Sequence, residues 1–303
     1  MATANPDSTP VPATTSHDFR QRFLFEDYDI RGEIVSLRGT LTEVCARHPY
    51  PPQLRARLGE FLAAAALISA NLKTAGTLTV QARGDGPVPL LMADCTDRRA
   101  LRAIARQATP GGRLDPDLRL LVGRGHLSVT ISLPDRDRYQ GIAPLEHAGL
   151  ADCLSDYFSR SEQLPTRLWL AADGQGAAGL LLQALPSQRQ TAEGRGRTWE
   201  ELTALTDTLT ATEQLTLSHG QLLYRLFHQH RVRLFDPISV GFACSCSAER
   251  IGSAIAALGA ETVAELLASN EVVDTQCQFC HQQYHFTAND LSAAALGAGA
   301  LLH

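Results

Sequence analysis

The sequence predicts an α+β protein: an N-terminal, largely antiparallel sheet domain with helices, then a helical linker, then a small C-terminal module. Short strand patterns alternate with helix patterns over residues 23–185, and leucines then recur at near-helical spacing over 199–230. Four of the seven cysteines follow in two close pairs. The 303 residues suffice for about two domains of roughly 100–200 residues each. We expect a disordered leader over 1–20, the sheet domain over 21–186, the linker over 187–243, the module over 244–291 and a tail over 292–303.

The sheet domain is predicted from its strand and helix patterns. The segments predicted to be strands are IRGEIVSL, GTLTVQARGDGPVPLLMADC, HLSVTISL, RYQGIAPL, TRLWLAAD and AAGLLLQAL. The second is expected to be a hairpin that turns at Asp85-Gly86, because this dipeptide tolerates the positive φ angles of a tight turn. Two prolines open the long predicted helix PPQLRARLGEFLAAAALISANL, and PLEHAGLADCLSDYFSRS predicts another helix.

The linker begins at a polar, glycine-bearing segment, SQRQTAEGRGRT, which predicts a flexible boundary over 187–198. Thr198 with Glu201 fits a capping box, so we expect helix over 199–230, lying on the first domain or on a partner. The segment RVRLFDPISVGFA is strand-like.

The module after the linker contains two predicted helices and a hairpin. Ser247 is expected to cap a helix that Gly259 ends, and ETVAELLAS follows as a second helix. The segment VVDTQCQFCHQQYHF predicts a hairpin with cysteines at its turn, and Thr287 with Asp290 predicts a further capping box.

Charge and hydropathy exclude several classes of partner and location. The net charge of -5 and pI near 6.1 provide no field that attracts nucleic acid or anionic lipid. The first 18 residues lack the basic and apolar regions of a signal peptide, and the most apolar run, 61–70, is far shorter than the roughly 20 residues of a membrane span. We therefore expect a cytoplasmic protein without nucleic-acid or membrane partners. In that reducing compartment, clustered cysteines are more often metal ligands or redox groups than permanent disulfides.

The two cysteine pairs predict a zinc site. One zinc ion takes four tetrahedral ligands, and Cys244, Cys246, Cys277 and Cys280 can supply four sulfur atoms. Two interpretations stay open at this point. The site can be purely structural, or it can be a redox site, because thiolates on zinc keep the form that oxidants attack.

The remaining cysteines and the nearby histidines have simpler interpretations. Cys45, Cys95 and Cys153 are dispersed among apolar neighbours and are expected to fill the core. His281 and His285 flank the second pair, but four thiolates complete the zinc shell, so we expect a hydrogen bond to sulfur rather than ligation.

Several blocks of the chain resemble the heat-shock protein 33 family of redox-regulated chaperones. These blocks are LFHQHRVRLFDPISVGFACSCSAERI, CQFCHQQY and, upstream, RYQGIAPLE and SEQLPTRLWLAAD, and the resemblance covers about residues 23–291. The leader and the tail ALGAGALLH match the family poorly. His228 and His230 stand where acidic residues are more usual, which raises the question of whether histidine protonation tunes the switch.

The resemblance implies a chaperone that is inactive with zinc bound and becomes an ATP-independent holdase, one that holds unfolding clients without refolding them, after oxidation. It implies that Cys244, Cys246, Cys277 and Cys280 bind one zinc ion when reduced, and that Cys244–Cys246 and Cys277–Cys280 disulfides form when oxidised. The region 187–243 would correspond to the family's metastable linker. Unfolding client proteins are the expected partners, and we expect a homodimer in the oxidised state.

Two other functions are weighed against a chaperone. A zinc-ribbon nucleic-acid binder is disfavoured because residues 241–290 contain one basic residue, Arg250, against six acidic ones. A thiol oxidoreductase is disfavoured because the Cys277-x-x-Cys280 motif does not begin a helix after a strand. No phosphate loop and no nucleophile paired with a histidine at motif spacing is visible, so we expect no enzyme activity.

Overall fold

The computed structural model describes residues 18–109, 111–112, 114–134, 137–161, 164–186, 191–269 and 272–291. The chain divides into two compact units, Met1–Ala243 and Cys244–His303. Helices and antiparallel strand pairs occur in both, which confirms the predicted α+β class. Residues 1–17 of the predicted leader, residues 187–190 of the predicted linker and the predicted tail lie outside the described residues.

The first unit closely follows the predicted alternation of strands and helices. Its elements are β1 (Phe19–Phe25), β2 (Ile30–Leu37), α1 (Gly39–Arg47), α2 (Pro52–Ser69), β3 (Thr77–Gly84), β4 (Leu90–Thr96), β5 (Ala100–Arg106), α3 (Leu118–Val122), β6 (Gly125–Ser132), β7 (Tyr139–Pro144), α4 (Leu150–Ser161), β8 (Thr166–Ala172), β9 (Ala177–Ala184), α5 (Ala192–Asp207), α6 (Ala211–Thr216), α7 (His219–Phe227), β10 (Val232–Leu234), β11 (Ile238–Ser239) and β12 (Gly241–Phe242).

These strands form two sheets. Among the described residues, one sheet has the order β10-β1-β2-β9-β8, with β11 also paired to β1, and the other has the order β12-β5-β4-β3-β6-β7. All pairs are antiparallel except β12 with β5. The predicted largely antiparallel arrangement is therefore confirmed.

Helix α2 lies in the core between the sheets. Its second half, FLAAAALIS, is apolar on every side, and all residues over 61–69 are buried. The helix packs on strands of both sheets, including β4 and β9. A helix without a polar face is stable only when it is surrounded by other elements, and the alanines allow the strands to approach closely.

The sheet begins earlier than the sequence predicts. Strand β1 begins at Phe19, so the predicted leader over 1–20 extends too far at its C-terminal end. The buried carboxylate of Asp18 accepts backbone N–H bonds from Arg38, Gly39 and Thr40 at 2.6, 3.1 and 2.6 Å. The first amides of a helix need such an acceptor, and here a distant residue provides it for α1. Because this cap is not local, the sequence pattern does not reveal α1.

The β3–β4 hairpin is confirmed, but its turn has a different physical basis. Neither Asp85 nor Gly86 has a positive φ angle. Instead, the Gly86 amide donates to the Val122 carbonyl at 2.7 Å, and a Cβ atom on Gly86 would lie 2.5 Å from the Gly123 backbone. Glycine is required because another loop approaches the turn.

The linker helices begin at a different residue from the one predicted. Thr191 caps α5 by accepting from the Gly194 amide, so the predicted flexible boundary over 187–198 is wrong for 191–198. The capping box predicted at Thr198 is also wrong, because its hydroxyl donates to the Gly194 carbonyl within the helix at 3.1 Å. A good cap at Thr191 outweighs the low helix propensity of the glycines.

Two capping boxes divide the rest of the predicted 199–230 helix. Thr210 pairs with Glu213 at the start of α6, and Ser218 pairs with Gln221 at the start of α7. The stretch is thus three helices rather than one. The following segment RVRLFDPISVGFA forms three short strands, and Pro237, which lacks an amide donor, separates the first two.

The second unit agrees with its predicted elements. It contains α8 (Ala248–Ala256), α9 (Ala260–Ser269) and a hairpin of β13 (Val272–Gln276) with β14 (Gln283–Thr287). Ser247 caps α8 by accepting from the Arg250 amide. The Thr287 amide donates to Asp290 at 2.8 Å and the Asp290 amide to Thr287 at 3.4 Å, which confirms the last capping box.

Membrane-spanning potential is limited to one bent pair of helices. In the part of the chain that the structure describes, no single helix is long and apolar enough to cross a bilayer. Ala248–Ala256 and Glu261–Ala268 reach the required length and composition only together, with a bend of 110° between them.

Candidate metal centre

Two short loops of the second unit bring the four predicted cysteines together. Cys244 and Cys246 lie in the extended segment before α8. The Arg250 guanidinium donates to the Ser245 carbonyl at 3.0 Å, which ties this segment to the first turn of α8. Cys246 thus lies next to a helix N-terminus, where unpaired backbone amides present positive partial charge.

The other two cysteines lie at the turn of the β13–β14 hairpin. The Cys277 amide donates to the Gln282 carbonyl, and the His281 amide donates to the Cys277 carbonyl, both at 2.9 Å. These bonds close a tight loop around Phe279 and Cys280. His281 completes the turn in the left-handed region, with φ of 62°.

The four sulfur atoms have the spacing of a tetrahedral metal site. They all lie within 4.8 Å of one another, with 3.7 Å between Cys244 and Cys277 and 3.4 Å between Cys246 and Cys280. A Zn–S bond of about 2.3 Å places tetrahedral sulfurs about 3.8 Å apart. All four are free cysteines, at distances well above the ~2.05 Å of a disulfide bond. The donor set therefore fits one metal ion, and four soft thiolates suit zinc.

Hydrogen bonds distinguish the sulfurs from one another. Burial opposes ionisation of Cys277, but backbone amides of Cys280 and Phe279 donate to its sulfur and hold the pKa of that thiol below its ordinary value. Burial raises the pKa of the Cys280 thiol, and the neighbouring Cys246 and Cys244 sulfurs raise it further. Four thiolates at this spacing repel one another, so the fully ionised set requires a cation.

The hydrogen bond of His285 differs from the sequence-based expectation. The metal-binding group found among the described residues consists of the cysteines, without His281 or His285. The Nδ1 atom of His285 lies 2.6 Å from Asp274 rather than on a sulfur. A side-chain donor to the cluster is Tyr284, whose hydroxyl donates to Cys246 Sγ at 3.1 Å. Sequence reasoning missed Tyr284, although its position within CQFCHQQY was a usable signal.

The other cysteines are far less reactive groups. Cys95 is fully buried, and burial raises the pKa of its thiol to about 11. Cys153 is buried and Cys45 is half-buried, and burial raises the pKa of both thiols. The core position predicted for Cys95 and Cys153 is confirmed, while Cys45 is only partly covered.

Comparisons with known proteins all find similarity to the same family. A family model described as Hsp33 protein matches residues 18–287. A protein named 33 kDa chaperonin from Azotobacter vinelandii is 50% identical over 288 residues, covering 93% of this chain and 96% of its own length. A protein of the same name from Pseudomonas aeruginosa is 47% identical over 284 residues, covering 93% of this chain and 96% of its own. The solved structure of the 33 kDa chaperonin (heat shock protein 33 homolog) from Thermotoga maritima has a TM-score of 0.75 at 20% identity, covering 94% of this chain and all of that one, which shows a shared fold.

Proposed function

Since the chain belongs to the Hsp33 family of chaperones, we propose that it is a redox-regulated, ATP-independent holdase that binds unfolding proteins after oxidation. In this proposal the reduced protein holds one zinc ion and is inactive. Oxidation forms two disulfides, releases the metal and exposes apolar surface in the linker.

The observation that carries the proposal is the contrast between the thiol cluster and the small core around it. In the described part of the second unit, the buried apolar side chains are Cys277, Phe286 and Leu291. So few buried groups cannot offset the conformational entropy of folding about fifty residues. Zinc bound to such a site contributes on the order of 10–16 kcal/mol to folding. Cys244, Cys246, Cys277 and Cys280 would hold this ion, and its removal should unfold the unit.

Peroxide can remove the ligands in a balanced two-step reaction. One thiolate attacks a peroxide oxygen, which breaks the O–O bond, forms a sulfenic acid and releases hydroxide. The second thiolate of the pair attacks that sulfur, forms the S–S bond and releases a second hydroxide. Each pair thus gives two electrons to one peroxide, and neither sulfur remains available as an anionic ligand.

The identity of the pairs determines the consequence of oxidation. Separations of 3.7 and 3.4 Å join Cys244 to Cys277 and Cys246 to Cys280, which lie on different loops. Disulfides between those loops would close long segments and stabilise the fold by a few kcal/mol. Disulfides within Cys244–Cys246 and Cys277–Cys280 leave the loops unconnected. Our proposal takes the local pairs, which the resemblance to the Hsp33 family implies and which leave the two loops free to separate.

The linker provides the apolar surface that would be exposed. Leu202, Leu222, Leu223, Leu226 and Phe227 are buried in one cluster with residues of β1, β2 and β9. When these leucines are docked they are not available to a client. When they are released they present a contiguous apolar surface, which is what unfolding proteins bind.

The proposal extends to location and partners. We propose a cytoplasmic protein that binds unfolding clients and forms a homodimer when oxidised. Nucleic-acid binding is disfavoured by the acidic character of 241–290. A thiol oxidoreductase is disfavoured because Cys277 and Cys280 lie in a hairpin turn, where no helix N-terminus follows directly to activate them. Turnover of protein disulfides above background would favour that enzyme instead.

A zinc and thiol count before and after hydrogen peroxide, together with light scattering from an aggregating client, tests the proposal. The reduced chain should hold one zinc ion. The oxidised chain should hold none, suppress scattering, and keep only the thiols of Cys45, Cys95 and Cys153. Cys244→Ser should lose zinc, and Cys153→Ser serves as the control that keeps it. Complete oxidation with zinc loss and unchanged scattering would show that the site is only structural.

A further inference from the structure

Tyr284 contacts the thiol cluster from outside the ligand set. It lies on β14, where it pairs with Thr275 across the hairpin. Its hydroxyl is 3.1 Å from Cys246 Sγ, on the opposite loop of the site. This contact is at hydrogen-bond distance for sulfur, and it joins residues 38 positions apart in the chain.

The position of the ring is fixed independently of the hydroxyl. Tyr284 and Phe286 are two residues apart on one strand face, and their rings are stacked with centroids 6.4 Å apart and an interplanar angle of 14°. Phe286 is itself buried. Phenylalanine at position 284 would keep this packing and lose only the bond to sulfur.

The direction of the hydrogen bond follows from the chemistry of the site. A metal-bound cysteine is a thiolate with no S–H to donate, so the phenol O–H is the donor and the sulfur is the acceptor. Donation withdraws electron density from the lone pairs of Cys246. A less electron-rich sulfur attacks an oxidant or an alkylating agent more slowly.

The four sulfurs differ in the groups that donate hydrogen bonds to them. The donors to Cys277 are the amides of Phe279 and Cys280, and a donor to Cys280 is the amide of Gln282. Those amides belong to the hairpin turn and remain with their own loop. Tyr284 instead links the hairpin to the Cys244-Ser245-Cys246 loop, so its bond exists only while the two loops are together.

We propose that Tyr284 is a positioning residue that restrains the nucleophilicity of Cys246 through its hydrogen bond and thereby slows premature oxidation of the assembled site. The inference rests on the proposed zinc site. Once the hairpin separates from the other loop, the restraint is lost and Cys246 becomes as reactive as an ordinary thiolate. The tyrosine therefore makes oxidation of Cys246 conditional on opening of the unit.

The test compares Tyr284→Phe with wild type, with Tyr139→Phe as the control because Tyr139 is a half-exposed tyrosine of the first unit. Zinc-loaded proteins are treated with iodoacetamide, and peptide mapping follows the alkylation rate of each cysteine. Cys246 should react about fivefold faster in Tyr284→Phe, as expected for the loss of one hydrogen bond. Cys280 in Tyr284→Phe should stay within about twofold of its wild-type rate, since its Gln282 amide donor is kept. Every cysteine in Tyr139→Phe should do the same, since Tyr139 lies in the first unit.

Replacing zinc with cobalt gives a spectroscopic readout of the sulfur atoms that a change in side-chain packing alone would not alter. Removing a hydrogen bond raises the energy of the sulfur lone pair, so the thiolate-to-cobalt charge-transfer band should move to longer wavelength in Tyr284→Phe. An unchanged Cys246 rate would overturn the proposal, and so would equal acceleration at all four sulfurs, which would indicate a general loosening. Absence of the band in wild type would contradict the metal site itself and the inference with it. If wild type shows the band and Tyr284→Phe shows the same band, the inference is contradicted but the metal site is not.

Discussion

His281 holds the cysteine turn in a backbone conformation that is costly for a residue with a Cβ atom. Its φ angle of 62° lies in the left-handed region, which glycine adopts without strain. The amide of His281 closes the turn on the Cys277 carbonyl, so the conformation cannot relax without opening the metal loop. Part of the stability that a bound metal would provide is thus offset by local strain.

His281→Gly should relieve that strain and make the metal loop more stable. The expected gain is about 1 kcal/mol, equivalent to roughly fivefold slower zinc loss to a competing chelator. His281→Ala is the matched control, because it removes the imidazole but keeps the Cβ atom and should give no gain. Equal zinc retention in the glycine and alanine variants would show that the imidazole, and not the backbone, controls the loop.

Helices α5 and α7 dock on the first sheet through apolar packing that polar contacts position. Asp207 at the end of α5 accepts from the Trp169 indole at 2.9 Å and pairs with Arg167 at 2.9 Å. His230 lies against the ring of Tyr28, with 3.3 Å between Nδ1 and the tyrosine oxygen. His230 is therefore part of the docking contact. This contact is relevant to the question of whether protonation of His228 or His230 tunes the switch.

His219 is a second histidine in this contact, and the sequence analysis did not identify it. Its Nδ1 lies 2.9 Å from Gln21 Oε1 and its Nε2 lies 3.0 Å from the Ser36 hydroxyl. Because the Gln21 amide nitrogen donates to Phe235, its oxygen faces His219, so Nδ1 carries the proton and Nε2 accepts. Both ring nitrogens are therefore satisfied in the neutral form, and burial lowers the pKa of His219 to about 4.

Acid should therefore weaken docking of α7. A released His219 binds its proton near pH 6.5, whereas the docked one binds it only near pH 4, so docking is fully favoured above pH 6.5 and weakens as the pH falls from 6.5 to 4. The loss should reach about 3 kcal/mol at pH 4. The fluorescence of Trp199 and Trp169, which both pack on the docking cluster, reports the change.

His219→Gln provides the matched control for the acid response. Acid would also release a bound metal, but both proteins share that contribution, so the difference between their pH profiles isolates His219. A glutamine variant with the wild-type pH profile would contradict this role.

Several elements with local signals were predicted from the sequence, although the equally local capping boxes at Thr210 and Ser218 were missed. Elements that depend on distant residues were not predicted. The cysteine quartet, the Ser247 cap and the Thr287–Asp290 box are read from neighbouring residues, and the structure contains them all. Helix α1 requires the carboxylate of Asp18, and the Tyr284 contact requires a sulfur 38 residues away. Such contacts appear only when the fold brings the residues together.

The whole molecule combines two units of very different internal stability. The first unit buries most of α2 and large parts of both sheets, while the described second unit buries few apolar groups. Cooperative regions of a protein open with separate free energies, and the region with the smallest core opens first. A loss of metal should therefore affect the second unit and leave strands β1–β9 of the first unit intact.

Hydrogen exchange followed by mass spectrometry, before and after peroxide, tests this account most directly when client light scattering is measured on the same samples. Oxidation with zinc release should raise exchange over 191–291 while α2 and strands β1–β9 stay protected. Client holding should rise in parallel, and both changes should reverse with a thiol reductant and zinc. If zinc is released and both disulfides form, yet exchange in α5 and α7 and client aggregation stay unchanged, linker release is not the switch.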